Sequence, residues 1–138
     1  MRCTPFIVSI LLASGCATSA YEATAPAPAS LFSLSVEDVP AENGKKLNMV
    51  LRELSREAES SLVQVTFVSG GSVSSSMFIL RGMCGLMRVR GENYFASERV
   101  SNSLTQYRMT FPKVVGEQAL RGPDKKAFSA AECSLLGF

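Results

Sequence analysis

The first fifteen residues limit what the rest of the chain can be. An apolar run extends from Phe6 to Leu12 behind one basic side chain, Arg2, and ends in small residues. A membrane-spanning helix needs about 20 apolar residues, so this run is too short to cross a bilayer. Short apolar segments of this kind at the start of a chain are targeting signals, which are removed. The sequence therefore predicts a signal peptide over residues 1–15, and about 120 residues then remain, enough for one domain.

Cys16, directly after this segment, gives the signal a more specific interpretation. Residues Ala13-Ser14-Gly15-Cys16 resemble the end of a bacterial lipoprotein signal, in which the cysteine becomes the lipid-modified first residue. In such signals Leu usually lies three residues before the cysteine, whereas here Leu12 lies four residues before it. The alternative is an ordinary secretory signal that is cut after Ala20. With Ala17 next to the cysteine, the resemblance implies a lipid-anchored protein of the outer membrane that faces the periplasm.

Residues 16–36 are predicted to form a flexible tether. They include small and polar residues interrupted by Pro26 and Pro28. Such a composition buries too little apolar surface to fold, and Ala-Pro sequences stay extended. The sequence therefore places a single α+β domain in residues 37–138.

The segment from Pro40 to Ser60 is predicted to be helical. Its apolar residues recur at helical spacing, which predicts one buried stripe on an amphipathic helix. The residues of this stripe are Leu47, Val50, Leu51, Leu54 and Ala58. In this prediction Glu53 and Arg56 lie on the opposite, solvated face.

Three alternating segments farther along the chain are predicted to be strands, and they lie at residues 62–68, 93–100 and 104–111. The last two form a hairpin through residues 101–103. Residues 77–90 favour a helix that ends at Gly91, although Gly82 and Gly85 are unfavourable inside one; the alternative is a strand followed by a bulge. A short helix after Asp124 ends the chain. The predicted fold is α+β, with about three strands, two or three helices and the order α-β-α-β-β-α.

Two cysteines remain in the predicted domain, Cys84 and Cys133. In an oxidising compartment such a pair predicts a disulfide. The alternative is two buried free thiols, because unpaired cysteine packs as a small apolar residue.

A resemblance to known proteins supports the predicted fold and the envelope location. A strand and a Gly/Ser turn precede a helix that contains Leu80-Arg81 and Cys84-Gly85-Leu86, and Arg90-Gly91-Glu92-Asn93-Tyr94-Phe95 follows. This order resembles small proteobacterial envelope lipoproteins of uncharacterised function, and residues 128–137 resemble their C-terminal helix. The resemblance implies a fold and a location but no active site. The interior glycines and the cysteine pair depart from the pattern.

The sequence contains no histidine, which removes Ser-His-Asp and Cys-His catalysis and the usual zinc sites. Glu53 and Glu57 lie one helical turn apart in the predicted helix, where a solvated face explains them better than an acid/base pair. Residues 70–72 are better explained as a turn than as an anion-binding loop. The net charge of +2 is too small for nucleic-acid binding. We expect neither a metal nor a cofactor.

Four arginines near the end of the second helix and in the hairpin form a possible partner-binding patch: Arg88, Arg90, Arg99 and Arg108. The resulting hypothesis is a non-enzymatic interaction or accessory module, anchored to the membrane by its lipid, whose partner is another envelope protein. The alternative is an inhibitor or immunity-type protein that acts on an envelope-targeting enzyme. A third hypothesis, a thiol enzyme that uses Cys84, requires that cysteine to be free.

Overall fold

The computed structural model describes residues 30–42, 44–69, 73–100, 105–116, 119 and 127–138. Cys16, Asp124, the Gly/Ser turn at residues 70–72 and the hairpin turn at residues 101–103 lie outside these ranges. The elements, in chain order, are strands β1 (Ser33–Pro40), β2 (Lys46–Arg56) and β3 (Ser60–Ser69), helix α1 (Val73–Val89), strands β4 (Tyr94–Arg99), β5 (Gln106–Thr110) and β6 (Phe128–Ser129), and helix α2 (Ala130–Leu135).

The strands form one six-stranded antiparallel sheet in the order β1-β2-β3-β5-β4-β6. The predicted α+β fold of about three strands in the order α-β-α-β-β-α is therefore wrong, because the sheet has six strands and three of them precede the first of the two helices in the described residues. Strands β1, β2 and β3 form a meander, and α1 then crosses over the sheet. Strand β5 lies between β3 and β4 and pairs with both. The structure confirms that β3, β4 and β5 are strands and that α1 is a helix.

Strand β2 replaces the helix that was predicted over residues 40–60. The buried side chains follow a period of two, since Leu47, Met49, Leu51 and Glu53 face the core. The helical pattern was incidental, because Leu54, one of its apolar residues, lies exposed on the other face. Both edges of β2 are paired, with β1 and β3, so tertiary pairing overrides the helix propensity of its Leu, Arg and Glu residues.

Strand β1 begins inside the range that the sequence assigned to the tether. Residues 33–36 of that range belong to the sheet, where Leu34 pairs with Leu51 and Val36 pairs with Met49. Within the described chain β1 is an edge strand, because β2 is its one neighbour. A bulge follows Val36, where Asp38 adopts a positive φ of 55°.

Helix α1 packs closely on the sheet because two of its interior residues are glycines. A Cβ atom at Gly82 would lie 2.6 Å from Leu51 Cδ1, and one at Gly85 would lie 2.9 Å from Phe32 Cζ. The glycines that counted against a helix in the sequence are thus the residues that let the helix approach β1 and β2. Its Phe78, Met83, Leu86 and Met87 complete the core above strands β2 to β5.

Both ends of α1 are capped by identifiable groups. At its start the Glu42 carboxylate accepts hydrogen bonds from the backbone N–H groups of Val73 and Ser74 and from the Ser74 hydroxyl. The hydroxyl is the main cause that lowers the pKa of Glu42 to about 2. At its end Gly91, with φ of 69°, completes a Schellman motif through Glu92 N–H to Met87 O, which confirms the predicted stop.

Helix α2 starts at Ala130 and not near Asp124. Ser129 forms a capping box with Glu132, which fixes its first turn. The disulfide between Cys84 and Cys133 then joins α2 to α1, with an S–S distance of 2.02 Å, as predicted.

Candidate functional site

The most unusual side chain in the core is the carboxylate of Glu53, which has no solvent exposure. It accepts hydrogen bonds from Arg56 Nε (2.8 Å), Ser61 Oγ (2.7 Å) and the Phe32 backbone N–H (2.9 Å). Burial raises the pKa of Glu53, but these hydrogen bonds outweigh burial and lower it to about 2. The prediction that Glu53 lies on a solvated face is therefore wrong.

Arg90 closes the same cluster from the end of α1. Its Nη1 lies 3.9 Å from Glu53 Oε1, and its Nη2 donates to the carbonyl oxygens of Glu57 (2.7 Å) and Ala58 (2.8 Å) in the β2–β3 turn. Its guanidinium also stacks on the ring of Phe111 at 4.5 Å. The Glu53 carboxylate is buried and accepts hydrogen bonds from several donors, and Arg90 joins the β2–β3 turn to the end of α1. This cluster therefore has a structural role and is not a candidate acid or base.

Glu57, which the sequence paired with Glu53, lies apart from it. Its carboxylate is exposed and accepts a hydrogen bond from Ser60 Oγ at 2.9 Å. The two glutamates thus occupy different environments on a strand and its turn. Among the described residues no group of three acidic, cysteine or histidine side chains is placed to hold a metal ion.

The four arginines of the predicted patch do not share one surface. Arg88 donates to Ser134 Oγ on α2, whereas the Arg90 side chain is 6% exposed and contributes little surface. Arg99 lies over the ring of Tyr107 at 5.8 Å. Arg108 lies on the sheet face opposite the helices, across from Glu98. Arg88 is thus the member of this set that lies beside a recess with an apolar lining.

That recess is an open groove between edge strand β1 and helix α1, and we call it the β1–α1 groove. It consists of two adjoining pockets of about 280 and 270 Å³. Val36, Val39, Met77 and Phe78 line the first pocket, whereas Phe32, Leu34 and Gly85 line the second. Phe138 lines both pockets.

Two arginines give the β1–α1 groove its charge. Arg81 lines both pockets and Arg88 lines the second. Both side chains are exposed, and within the described residues neither forms an ion pair with a carboxylate. The sequence did not predict this site, because residues 33–36 of β1 were assigned to the tether.

A larger cleft of about 760 Å³ lies at the end of the sheet beside the β2–β3 turn. Its lining mixes polar and apolar side chains, which include Glu57, Glu59, Arg108 and Phe111. Its three charged side chains leave one net negative charge and are all exposed, so this cleft has fewer apolar contacts to offer a ligand than the β1–α1 groove.

Comparisons with protein-family models, with curated proteins and with solved structures found no match to this chain. In the described residues neither helix combines the length and the apolar character that a membrane crossing requires. The candidate site therefore rests on the geometry of the β1–α1 groove.

Proposed function

We propose that this chain is a lipid-anchored interaction module of the bacterial envelope, which binds a partner and catalyses no reaction. The observation that carries the binding role is the β1–α1 groove, an open apolar recess with two arginines that have no carboxylate partner in the described chain. The proposed lipid anchor is at Cys16, in the outer membrane with the domain facing the periplasm.

Two features support an envelope location. The segment before Cys16 has the length and the small residues of a lipoprotein signal. The folded domain carries a disulfide between α1 and α2, and disulfides are typical of oxidising compartments such as the periplasm. Because Cys84 is bonded to Cys133, it is not available as a nucleophile.

The anchor is tested by producing the chain in a Gram-negative bacterium with radiolabelled palmitate. We expect the membrane-bound protein to be labelled, Cys16→Ala to abolish the label, and the matched control Cys3→Ala to retain it, because Cys3 lies in the removed segment. The intact mass should begin at Cys16 plus acyl chains. An unlabelled protein that begins at Tyr21 would show ordinary secretion and contradict the anchor.

The binding role is tested with a photo-crosslinking amino acid in living cells. It replaces Val39 in the β1–α1 groove or, as a matched control, Leu54 on the other face of the sheet; their exposures are 41% and 39%. We expect a discrete adduct from position 39 and none from position 54, and the reverse pattern would contradict the role of the groove. If the captured protein is a hydrolase that the purified chain inhibits, the role is that of an inhibitor.

A further inference from the structure

Among the residues that the structure describes, none pairs with the backbone groups on the outer edge of β1. The Glu53 N–H donates to Phe32 O at 2.8 Å, next to the opposed pair Ser33 and Arg52. Phe32 and Glu53 thus take the place of a hydrogen-bonded pair in the β1–β2 ladder, although the Phe32 N–H donates to the Glu53 carboxylate. Such pairs alternate in an antiparallel ladder. The backbone groups of Leu34 and Val36 therefore point toward β2, whereas those of Ser33 and Ser35 point away from the sheet.

The β1–α1 groove runs alongside this free edge. Its pockets follow β1 from Phe32 and Leu34, opposite Arg88, to Val36 and Val39, opposite Arg81, so α1 runs antiparallel to β1. A strand added to the outer edge of β1 would direct every second side chain toward the helix side of the sheet. Those side chains would enter the groove, where the walls are apolar.

The charge of the groove determines which segments fit. Arg81 and Arg88 are seven residues apart on α1, a separation of about 10 Å along the helix axis. On one face of an extended segment, positions two or four residues apart span about 7 or 13 Å. Two long arginine side chains therefore suit carboxylates that flank an apolar residue on the same face of an added strand.

A second copy of this chain fits less well. Pairing of β1 with its own copy would bring two sets of Arg81 and Arg88 to one interface, and like charges there are unfavourable. A fatty acid would fill the apolar walls, but its chain would leave the outward backbone groups of Ser33 and Ser35 without partners.

We propose that the edge of β1 takes up an extended segment of a partner protein by β-strand addition, and that this segment has apolar and acidic side chains toward the β1–α1 groove. This proposal deepens the proposed function and rests on it, because it names the class of partner that the groove binds.

The test uses the chain as recovered from the bacterial envelope, biotinylated on lysine side chains. A membrane-bound form is held in nanodiscs, because detergent would fill an apolar groove. The probe is a phage-displayed library of random decapeptides. We expect enriched sequences in which apolar residues and Asp or Glu recur at every second position, and the most enriched peptide is then synthesised for affinity measurements.

Two variants and one control follow. Ser35→Pro removes an outward N–H without breaking the β1–β2 ladder, and proline is tolerated at such an edge position. We expect it to weaken peptide binding about tenfold or more, since backbone pairing carries the affinity of an added strand. Arg81→Glu with Arg88→Glu should do the same and should select peptides rich in Lys and Arg. The control is Arg52→Glu with Arg108→Glu, which makes the same charge change on the opposite face and should leave the affinity within about twofold.

All variants must unfold at the temperature of the parent chain, within about 3 °C, before affinities are compared. The proposal is overturned if no sequence is enriched, if Ser35→Pro binds the peptide as the parent chain does, or if palmitate binds in the groove and peptides do not. Failure of the proposed function is distinguishable, because it appears as an unlabelled protein that begins at Tyr21 or as absence of an adduct from position 39.

Discussion

Replacing Glu53 with Gln removes one charge from the core and changes the side-chain volume very little. The Glu53 pKa of about 2, compared with an ordinary value of 4.5, corresponds to about 3 kcal/mol of stability at neutral pH. The glutamine amide would also direct N–H groups at Arg56, which is itself a donor. We therefore expect Glu53→Gln to lower the free energy of unfolding by about 3 kcal/mol at pH 7, a cost consistent with breaking a buried ion pair.

The pH dependence of this loss identifies its cause. A carboxylate with a lowered pKa contributes its full stability above pH 4.5, and it loses that contribution as the pH falls toward 2. The difference between the parent chain and Glu53→Gln should therefore be constant from pH 7 to pH 5 and shrink to about 1 kcal/mol or less near pH 2. Urea unfolding of the oxidised chain, followed by circular dichroism at several pH values, measures it.

Glu57→Gln is the matched control, because that carboxylate is exposed and accepts a hydrogen bond from Ser60 in the turn. We expect it to cost less than about 0.5 kcal/mol, as surface substitutions usually do. A loss below about 1 kcal/mol for Glu53→Gln, or a loss that does not change with pH, would refute the account of Glu53 as an ionised structural group.

The other substitutions test how α1 is held in place. Gly82→Leu should cost about 2–3 kcal/mol, because a Cβ there lies 2.6 Å from a β2 leucine, and an unchanged midpoint of thermal unfolding would contradict this. Replacing Cys84 and Cys133 together by Ala opens a link across 49 residues and should cost about 4 kcal/mol in urea unfolding; a loss below about 1 kcal/mol would contradict the link. Arg90→Lys should cost about 2 kcal/mol, because one ammonium cannot replace the bonds to two carbonyls and the stacking. The exposed control Arg88→Lys should cost less than about 0.5 kcal/mol in the same assay.

The sequence predicted correctly several features that local patterns or residue numbers indicate, although α1 and the disulfide each had an alternative interpretation. Strand β3 alternates with β-branched residues, and Gly91 follows the end of α1. The disulfide was predicted from the even number of cysteines in the domain and from an oxidising compartment. For β3 local propensity and tertiary packing favour the same structure. Helix α1 forms although Gly82 and Gly85 are unfavourable inside a helix, because both glycines allow it to pack closely on the sheet.

Strand β2 shows why the predictions for residues 33–60 were wrong. Its period-two pattern places Glu53 among core residues, and an isolated carboxylate there is costly. The partners that satisfy it come from three other places in the chain: Phe32, Ser61 and, nearby, Arg90. No local pattern indicates such partners. The sequence therefore favoured a helix with Glu53 in solvent, which avoids the free-energy cost of burying an unpaired carboxylate. With β2 misassigned, β1 had no neighbour, and the groove beside it was missed.

The buried charge and the candidate site are thereby parts of one arrangement. Glu53 accepts the Phe32 N–H and so fixes the chain where β1 begins, and the Phe32 ring packs against Gly85 at the second pocket of the β1–α1 groove. The same arrangement leaves Ser33, the next residue, with its backbone groups outward. The carboxylate of Glu53 therefore helps to hold both the start of β1 and the pocket beside it in position, because its hydrogen bond from the Phe32 N–H adds to the backbone bond from the Glu53 N–H to Phe32 O.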